Sequence, residues 1–377
     1  MRIALVVHDL GKQRGHDRYA AELAAALAIR HEVHVFAGTC EHIDLTRIQF
    51  HRVPSIKRPD FAKMITFCIS ATWMLRKFDF DIIHTQGTCS LIQNVATAHF
   101  CQASWLKVYQ TLDNSDVSRL RRWYHLSVMF LMNRLERFLF VRSHRVIALS
   151  DRVRHDLVRF YGLKPDLVET LYNGVNLDEF HPDNIRVFRD SVRAELEIGS
   201  DTFVLVFVGE FKRKGLRYAI EALSHLADNE SVLLVVVQGE DPKSCEALAD
   251  RLDVLKNVRF MGHRTDVNRF YAMCDAVVFP TLYEPFGFTI TEAMASGIPV
   301  ITSADAGAAE LIRDGEDALL LNDPRNAVDI AGKIQLLKDD EDLRIRLREN
   351  ARACVEKLSW HHFATDVEAI YERVRQV

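Results

Sequence analysis

Short apolar runs rich in β-branched residues alternate with amphipathic stretches along the whole chain, the pattern of strands and covering helices in an α/β fold. In the first half, runs at 3–7, 33–36, 82–84, 94–98, 145–149 and 168–172 predict strands, and 19–29, 61–77, 118–141 and 152–160 predict helices. Leu23 and Leu27 share one face of the first helix, so the chain opens as a strand–helix–strand unit. The second half repeats the rhythm with strands expected at 203–208, 232–237, 258–260, 276–279, 300–302 and 318–321. These later runs are almost uninterruptedly apolar, as parallel strands covered on both faces must be.

A chain of 377 residues exceeds what one core organises, so two doubly wound domains are expected. The rhythm breaks between Asn173 and Ser200, where Asn173-Gly174, Pro182 and a polar stretch intervene. The expected division is 1–175, 176–357 and a last helix at 358–377 that crosses back to the first domain. Ligands of such sheets bind beyond the carboxyl ends of the strands, so two domains facing a central cleft would enclose a site between them.

Composition narrows the class. Hydrophobic residues make up 48% and charged residues 27%, the mixture of an ordinary globular protein. The seven cysteines form no C-x-x-C pair and no zinc-like spacing, which reads as reduced thiols of a cytosolic protein. The longest apolar run, 65–75, is about half of the ~20 residues a membrane helix needs, and 124–141 is interrupted by Arg134, Glu136 and Arg137. Net charge is −4, but the first 172 residues carry +8 and the remainder −12, an asymmetry that suggests an anionic partner for the first half.

Two segments of the second half carry chemistry. Glu284-Pro-Phe-Gly-Phe-Thr-Ile-Thr-Glu292 follows a strand and opens a helix, placing two carboxylates around a helix start. The N–H groups and dipole there suit a phosphate, and carboxylates accept from vicinal hydroxyls. Thr289-x-x-Glu292 is equally a capping box, which alone would account for Glu292. Gly209-Glu-Phe-Lys-Arg-Lys-Gly215 follows the first strand of the same half, where Arg213 and Lys214 can neutralise a diphosphate; alone, it reads as a solvated basic turn.

Together, "EPFGFTITEAMASGIPVITS", "VGEFKRKG", "LYNGVNLDEFHPD" and "TAHF" resemble the family 4 retaining glycosyltransferases of the GT-B fold, in order and spacing along essentially the whole chain. Within that family, "FKRKGLRYAIEAL", "NVRFMGHRTDV" and the basic region 105–145 look closest to the branch that glucosylates the lipopolysaccharide core. The resemblance implies two Rossmann-like domains, the first for the acceptor and the second for a nucleoside-diphosphate sugar, here a UDP-sugar and in particular UDP-glucose. It implies that Arg213 and Lys214 bind the donor diphosphate and stabilise it as it leaves, with Gly209 at the turn, that Glu292 holds the ribose and that Glu284 contacts the transferred hexose. Backbone groups of Phe286, Gly287, Phe288 and Thr289 would meet sugar and phosphates. Met261 and Gly262 would flank the base, Asn173 would line the site, and His99 would approach the reacting sugar. Retention would proceed with the donor's own phosphate oxygen taking the acceptor proton, with no cofactor and no metal.

The sequence departs from the family in three places. Its first-strand loop reads Gly11-Lys-Gln-Arg-Gly15-His16, leaving Gly15 to approach the phosphate or acceptor; Gln238-Gly239-Glu240 replaces a Gly-x-Gly; Glu210 stands where a basic residue is usual. Asp79-Phe-Asp81 has D-x-D form but leads into a buried strand, and His31-Glu-Val-His34 lacks metalloprotease spacing, so neither predicts a metal. From Trp105 to Arg145 eight basic residues face three acidic ones, interleaved with aromatics. That mixture suits peripheral contact with an anionic membrane on its cytoplasmic face or a lipid-linked glycan acceptor, and equally a helix packed inside the domain with its basic face in water. No nucleic-acid motif accompanies it. The competing readings are a nucleotide-sugar 2-epimerase of the same fold and a catalytically silent nucleotide-binding protein.

Overall fold

The computed structural model describes every residue except 12–14, 42, 57, 113–117, 238, 240 and 377. Two compact units form, one from residues 1–174 with 360–377 and one from 175–359.

The first unit runs β1 (Arg2–Val6), α1 (Gly15–Leu27), β2 (Glu32–Ala37), β3 (Ile48–Arg52), α2 (Asp60–Leu75), β4 (Ile82–Gln86), β5 (Val95–Ala98), α3 (Gln102–Thr111), α4 (Arg119–Arg142), β6 (Arg145–Ala148), α5 (Asp151–Tyr161) and β7 (Val168–Thr170). The second runs α6 (Asp183–Glu195), β8 (Phe203–Val208), α7 (Leu216–Leu223), β9 (Val232–Val237), α8 (Lys243–Arg251), β10 (Val258–Phe260), α9 (Val267–Met273), β11 (Ala276–Phe279), α10 (Phe288–Ala295), β12 (Val300–Ser303), β13 (Leu319–Leu321), α11 (Ala327–Asp339) and α12 (Glu341–Val355). The last helix, α13 (Trp360–Arg375), belongs to the first unit, where Phe363 meets Tyr19 edge-on and the Tyr371 hydroxyl sits 2.6 Å from His84 Nδ1.

Both sheets are parallel, in the orders β3-β2-β1-β4-β5-β6-β7 and β10-β9-β8-β11-β12-β13. This is the doubly wound α/β architecture expected from the alternating pattern. β8 and β9 are buried at every position, which is why their composition is continuously apolar. Strand order reverses once in each sheet, between β1 and β4 and between β8 and β11. The carboxyl ends of those four strands are therefore where ligand chemistry is to be sought.

Three elements differ from the sequence expectation. β3 (IQFHR) is an edge strand with one fully buried position, so its apolar signal is weak. α3 is a separate helix ahead of α4. α6 occupies the polar stretch expected to interrupt the rhythm; it is held by Arg189 and Arg193, each 2.7 Å from an oxygen of Asp275, so its anchoring is ionic.

Candidate active site

At the reversal point of the second sheet, the turn after β8 and the loop after β11 are bonded to one another. The Leu282 N–H donates to the Arg213 carbonyl at 2.9 Å, and Arg213 Nη1 donates to the Tyr283 carbonyl at 2.9 Å. Lys214 Nζ lies 2.6 Å from Glu284 Oε2, and Arg213 Nη1 lies 3.5 Å from the same oxygen. Glu210, out of place by family pattern, holds Arg213 Nε at 3.0 Å. The side chains of Arg213, Lys214 and Glu284 are 18%, 14% and 10% exposed, so their charges act with little screening by water. Burial lowers the proton affinity of Lys214, an effect that Glu284 partly offsets. Burial pulls Arg213 the same way, but Glu284 and Glu210 outweigh it and hold the guanidinium above its ordinary range. The Lys214 ammonium also sits 4.6 Å from the Phe279 ring centroid, and its stem lies against Gly209.

The glutamate segment is built on two glycines. Gly287 takes φ = 115° to turn the loop into α10 and, as the N-cap residue, has no side chain with which to cap that helix. Thr289 already lies inside α10, so the capping box does not form and does not account for Glu292. Glu292 is buried on α10 with the Tyr271 hydroxyl 3.4 Å from Oε2. From beneath, the Gly307 N–H donates to the Glu284 carbonyl at 2.9 Å and the Ala308 N–H to the Phe286 carbonyl at 2.7 Å. A Cβ on Gly307 would stand 2.1 Å from the Pro285 oxygen, so only glycine permits this support.

Other expected donor contacts lie further out. The Met261 N–H donates to the Val236 carbonyl at 2.9 Å, continuing the β9–β10 pairing, and Gly262 turns the chain away at the sheet edge with φ = 66°. Gln238 and Glu240 fall outside the described residues; Gly239 between them packs against Phe211. Gly15 is the first residue of α1, and Lys12, Gln13 and Arg14 before it lie outside the described residues.

In the first unit His99 follows β5 and is buried, with Nε2 2.7 Å from Gln86 Oε1 and Tyr19 edge-on at 4.5 Å. Burial first, then His16 and His84, push its pKa well below the usual histidine range, so the imidazole is neutral. Asn173 is fully buried, and neither atom of its amide group has a partner among the described residues. Asp81 accepts from the Arg2 N–H at 2.7 Å, and His34 joins His51 and Glu32, so the D-x-D segment ties the start of β4 to β1 and the H-E-V-H segment serves the β2–β3 edge of the sheet. Sequence reasoning missed Gln86 and Gly307. The first stands at the carboxyl end of a strand predicted two residues too short, a position at which polar residues are informative; the second carries no local signal.

The fold, with the family matches that follow, defines a glycosyltransferase of the GT-B type, an enzyme that transfers sugar. The chain belongs to the glycosyltransferases: residues 14–179 match the model "Glycosyltransferase Family 4" and residues 188–353 match "Glycosyl transferases group 1". It is 26% identical over 345 residues to an uncharacterized glycosyltransferase of Methanocaldococcus jannaschii, covering 88% of this chain and 86% of that protein. It is 30% identical over 214 residues to the lipopolysaccharide glucosyltransferase WaaG of Escherichia coli, covering 56% of this chain and 57% of that protein. Among solved structures, WaaG superposes with TM-score 0.83 at 24% identity over 98% of this chain and 99% of its own. Alr3699/HepE of Anabaena in complex with UDP-glucose superposes with TM-score 0.76 at 19% identity over 99% and 100%. The expected likeness to lipopolysaccharide core glucosyltransferase I is thus found.

Proposed function

We propose that this enzyme is a retaining hexosyltransferase that draws glucose from UDP-glucose and delivers it to a glycan or lipid-linked acceptor in cell-envelope polysaccharide or lipopolysaccharide assembly. The reading rests on one observation: Arg213, Lys214 and Glu284 converge at the reversal point of the second sheet. Two half-buried cations beside a carboxylate favour a diphosphate that gains charge as the glycosidic bond breaks, which is where catalysis needs stabilisation. Glu284 then exchanges its contact with Lys214 for hydroxyls of the hexose, Glu292 takes the ribose hydroxyls, and the start of α10 faces the phosphates. The acceptor oxygen bonds to the anomeric carbon as the bond to the diphosphate breaks, and the acceptor proton passes to the departing phosphate oxygen on the same face. Neutral His99 positions the reactants without taking that proton. The UDP-bound state of a structural neighbour and the lipopolysaccharide role of WaaG support the choice of donor and pathway.

Among the described residues no helix is long and apolar enough to cross a membrane. α4 nevertheless exposes Leu120, Trp123, Tyr124, Phe130, Leu131, Phe138 and Val141, spaced as one helical stripe, while Met132, Leu139 and Phe140 face inward. Arg134 and Arg142 lie over Phe130 and Phe138 at 5.0 and 3.6 Å. A cationic, aromatic stripe of this kind rests on an anionic lipid surface.

The test is a melt and a product analysis. UDP-glucose should raise the melting temperature, and NMR of the product should show the α-anomer of the donor retained. An inverted product, or conversion of the UDP-sugar to an epimer with no acceptor present, would overturn the proposal. Cosedimentation with phosphatidylglycerol vesicles should fall for Trp123→Ser with Leu120→Ser, and unchanged binding would remove the membrane assignment.

A further inference from the structure

The first sheet reverses its strand order between β1 and β4, and the polar groups at that point are not spent inside the protein. His8 follows β1 by two residues, and the register Val6↔Thr85 brings that end alongside Gln86, the last residue of β4. Both ring nitrogens of His8 and Nε2 of Gln86 are buried and have no hydrogen-bond partner among the described residues. A buried unpaired donor or acceptor carries its full desolvation cost, so three of them on two adjacent strand ends call for an external partner. Neither side chain is loose. The His8 ring packs on Phe67 with centroids 4.6 Å apart, and Gln86 Oε1 is fixed by His99 Nε2 at 2.7 Å, which turns the amide nitrogen away as an unused donor.

The chemistry of the partner follows from charge. Burial first, then Lys63, bring the pKa of His8 down to about 4, so at neutral pH its ring offers one donor and one acceptor. Lys63 is committed to Asp9 at 2.8 Å, and Asp9 also accepts from the Thr39 hydroxyl at 2.8 Å. A hydroxyl donates and accepts at once and so matches a neutral imidazole, while an amide N–H beside it supplies a second anchor.

We infer that His8 and Gln86 bind hydroxyl groups of the sugar that accepts the transferred hexose and are specificity-determining residues of this enzyme. The inference rests on the glycosyl-transfer reading, naming the acceptor face of that reaction as an uncharged polyol.

The test titrates protein carrying 15N-labelled histidine with methyl α-D-glucopyranoside, methyl α-D-mannopyranoside and myo-inositol, reading the ring nitrogens of His8. At least one of these neutral polyols should shift the His8 signals, a response that a purely structural histidine would not give. His8→Phe, which keeps the contact with Phe67, should raise the KM for the responding sugar about tenfold, one hydrogen bond's worth, and His8→Gln should recover part of it. Silence of the His8 signals toward all three sugars, or an unchanged acceptor KM in His8→Phe, would overturn the inference. Calorimetric titration with UDP reports the donor side separately: loss of UDP binding in the wild-type protein counts against the donor proposal and leaves the sugar response of His8 to stand or fall alone.

Discussion

Lys214 holds Glu284 and, on the proposed function, also stabilises the leaving group, and a double-mutant cycle pulls these two duties apart. Lys214→Met keeps the stem that packs near Gly209 and removes the charge. Glu284, 10% exposed, then loses a partner at 2.6 Å and keeps Arg213 at 3.5 Å. Removing one member of a well-buried pair costs about 3–5 kcal/mol, and the remaining guanidinium places this case lower, at about 2 kcal/mol. For a unit of this size that lowers the melting temperature by about 4–8 °C. Glu284→Gln in the same chain neutralises the stranded carboxylate, so the double variant should regain most of the lost stability, a coupling of about 2 kcal/mol. Activity should behave oppositely. Loss of a preorganised cation at the leaving diphosphate lowers kcat about 10²–10³-fold, and the second change removes a hexose contact and restores nothing. The measurements are thermal melts and initial rates of UDP release for the wild type, both single variants and the double variant. A double variant no more stable than Lys214→Met refutes the ion-pair argument, and wild-type turnover by Lys214→Met refutes the leaving-group role.

Gly307→Ala should force the Pro285 carbonyl aside, costing about 1–3 kcal/mol and weakening UDP-glucose binding. Gly332→Ala, exposed on α11 with open space around it, should instead leave binding intact and stabilise by about 0.5–1 kcal/mol; equal behaviour of the two variants in melts and calorimetry would refute the role given to Gly307. Glu136, buried on α4, accepts from the Tyr161 hydroxyl and, at 2.8 Å, from the Gln102 N–H, and burial raises its pKa from 4.5 to about 7. Because the folded state holds this proton more tightly, stability from this group is full below about pH 4.5 and is lost as pH rises to 7, a fall of about 2–3 kcal/mol between pH 5 and 8. Glu136→Gln keeps an oxygen for both donors and should flatten that slope in urea titrations; a slope equal to the wild type would count against it.

What the sequence made legible depended on how local the cause was. β8, β9 and β11 could be read to the residue because burial at every position leaves no polar residue to blur an edge. With the ends of β8 and β11 known, the turns that carry Arg213, Lys214 and Glu284 could be located, and the family resemblance then singled these residues out from Glu210, Lys212 and Thr281 beside them. β3 and α6 stayed hidden because an edge strand needs few apolar residues and α6 is anchored by arginines, which a hydrophobic pattern scores as surface. Glu136 misled for the same reason in reverse. Counted as a charge against a membrane span, it lies on the inward face of α4 with Met132, Leu139 and Phe140, visible only when its spacing is compared with theirs.

Gln86, His8 and Gly307 belong to a different kind of fact. Nothing in the neighbourhood of Gln86 says that β4 lies beside β1, and without that pairing the end of β4 is an ordinary strand end. Gly307 is set by a carbonyl 22 residues earlier in the chain, a constraint of contact that leaves no periodicity. The same topology, once known, explains why the two units differ in chemistry. Each presents two adjacent strand ends at its reversal point. The second fills them with an ionic cluster that suits a diphosphate, and the first, beside a closed Asp9–Lys63 pair, presents neutral nitrogens that suit hydroxyls. A chain that placed cations at both reversal points would favour anions in both units; on the acceptor inference, the neutral polar groups at the ends of β1 and β4 are what select a sugar there.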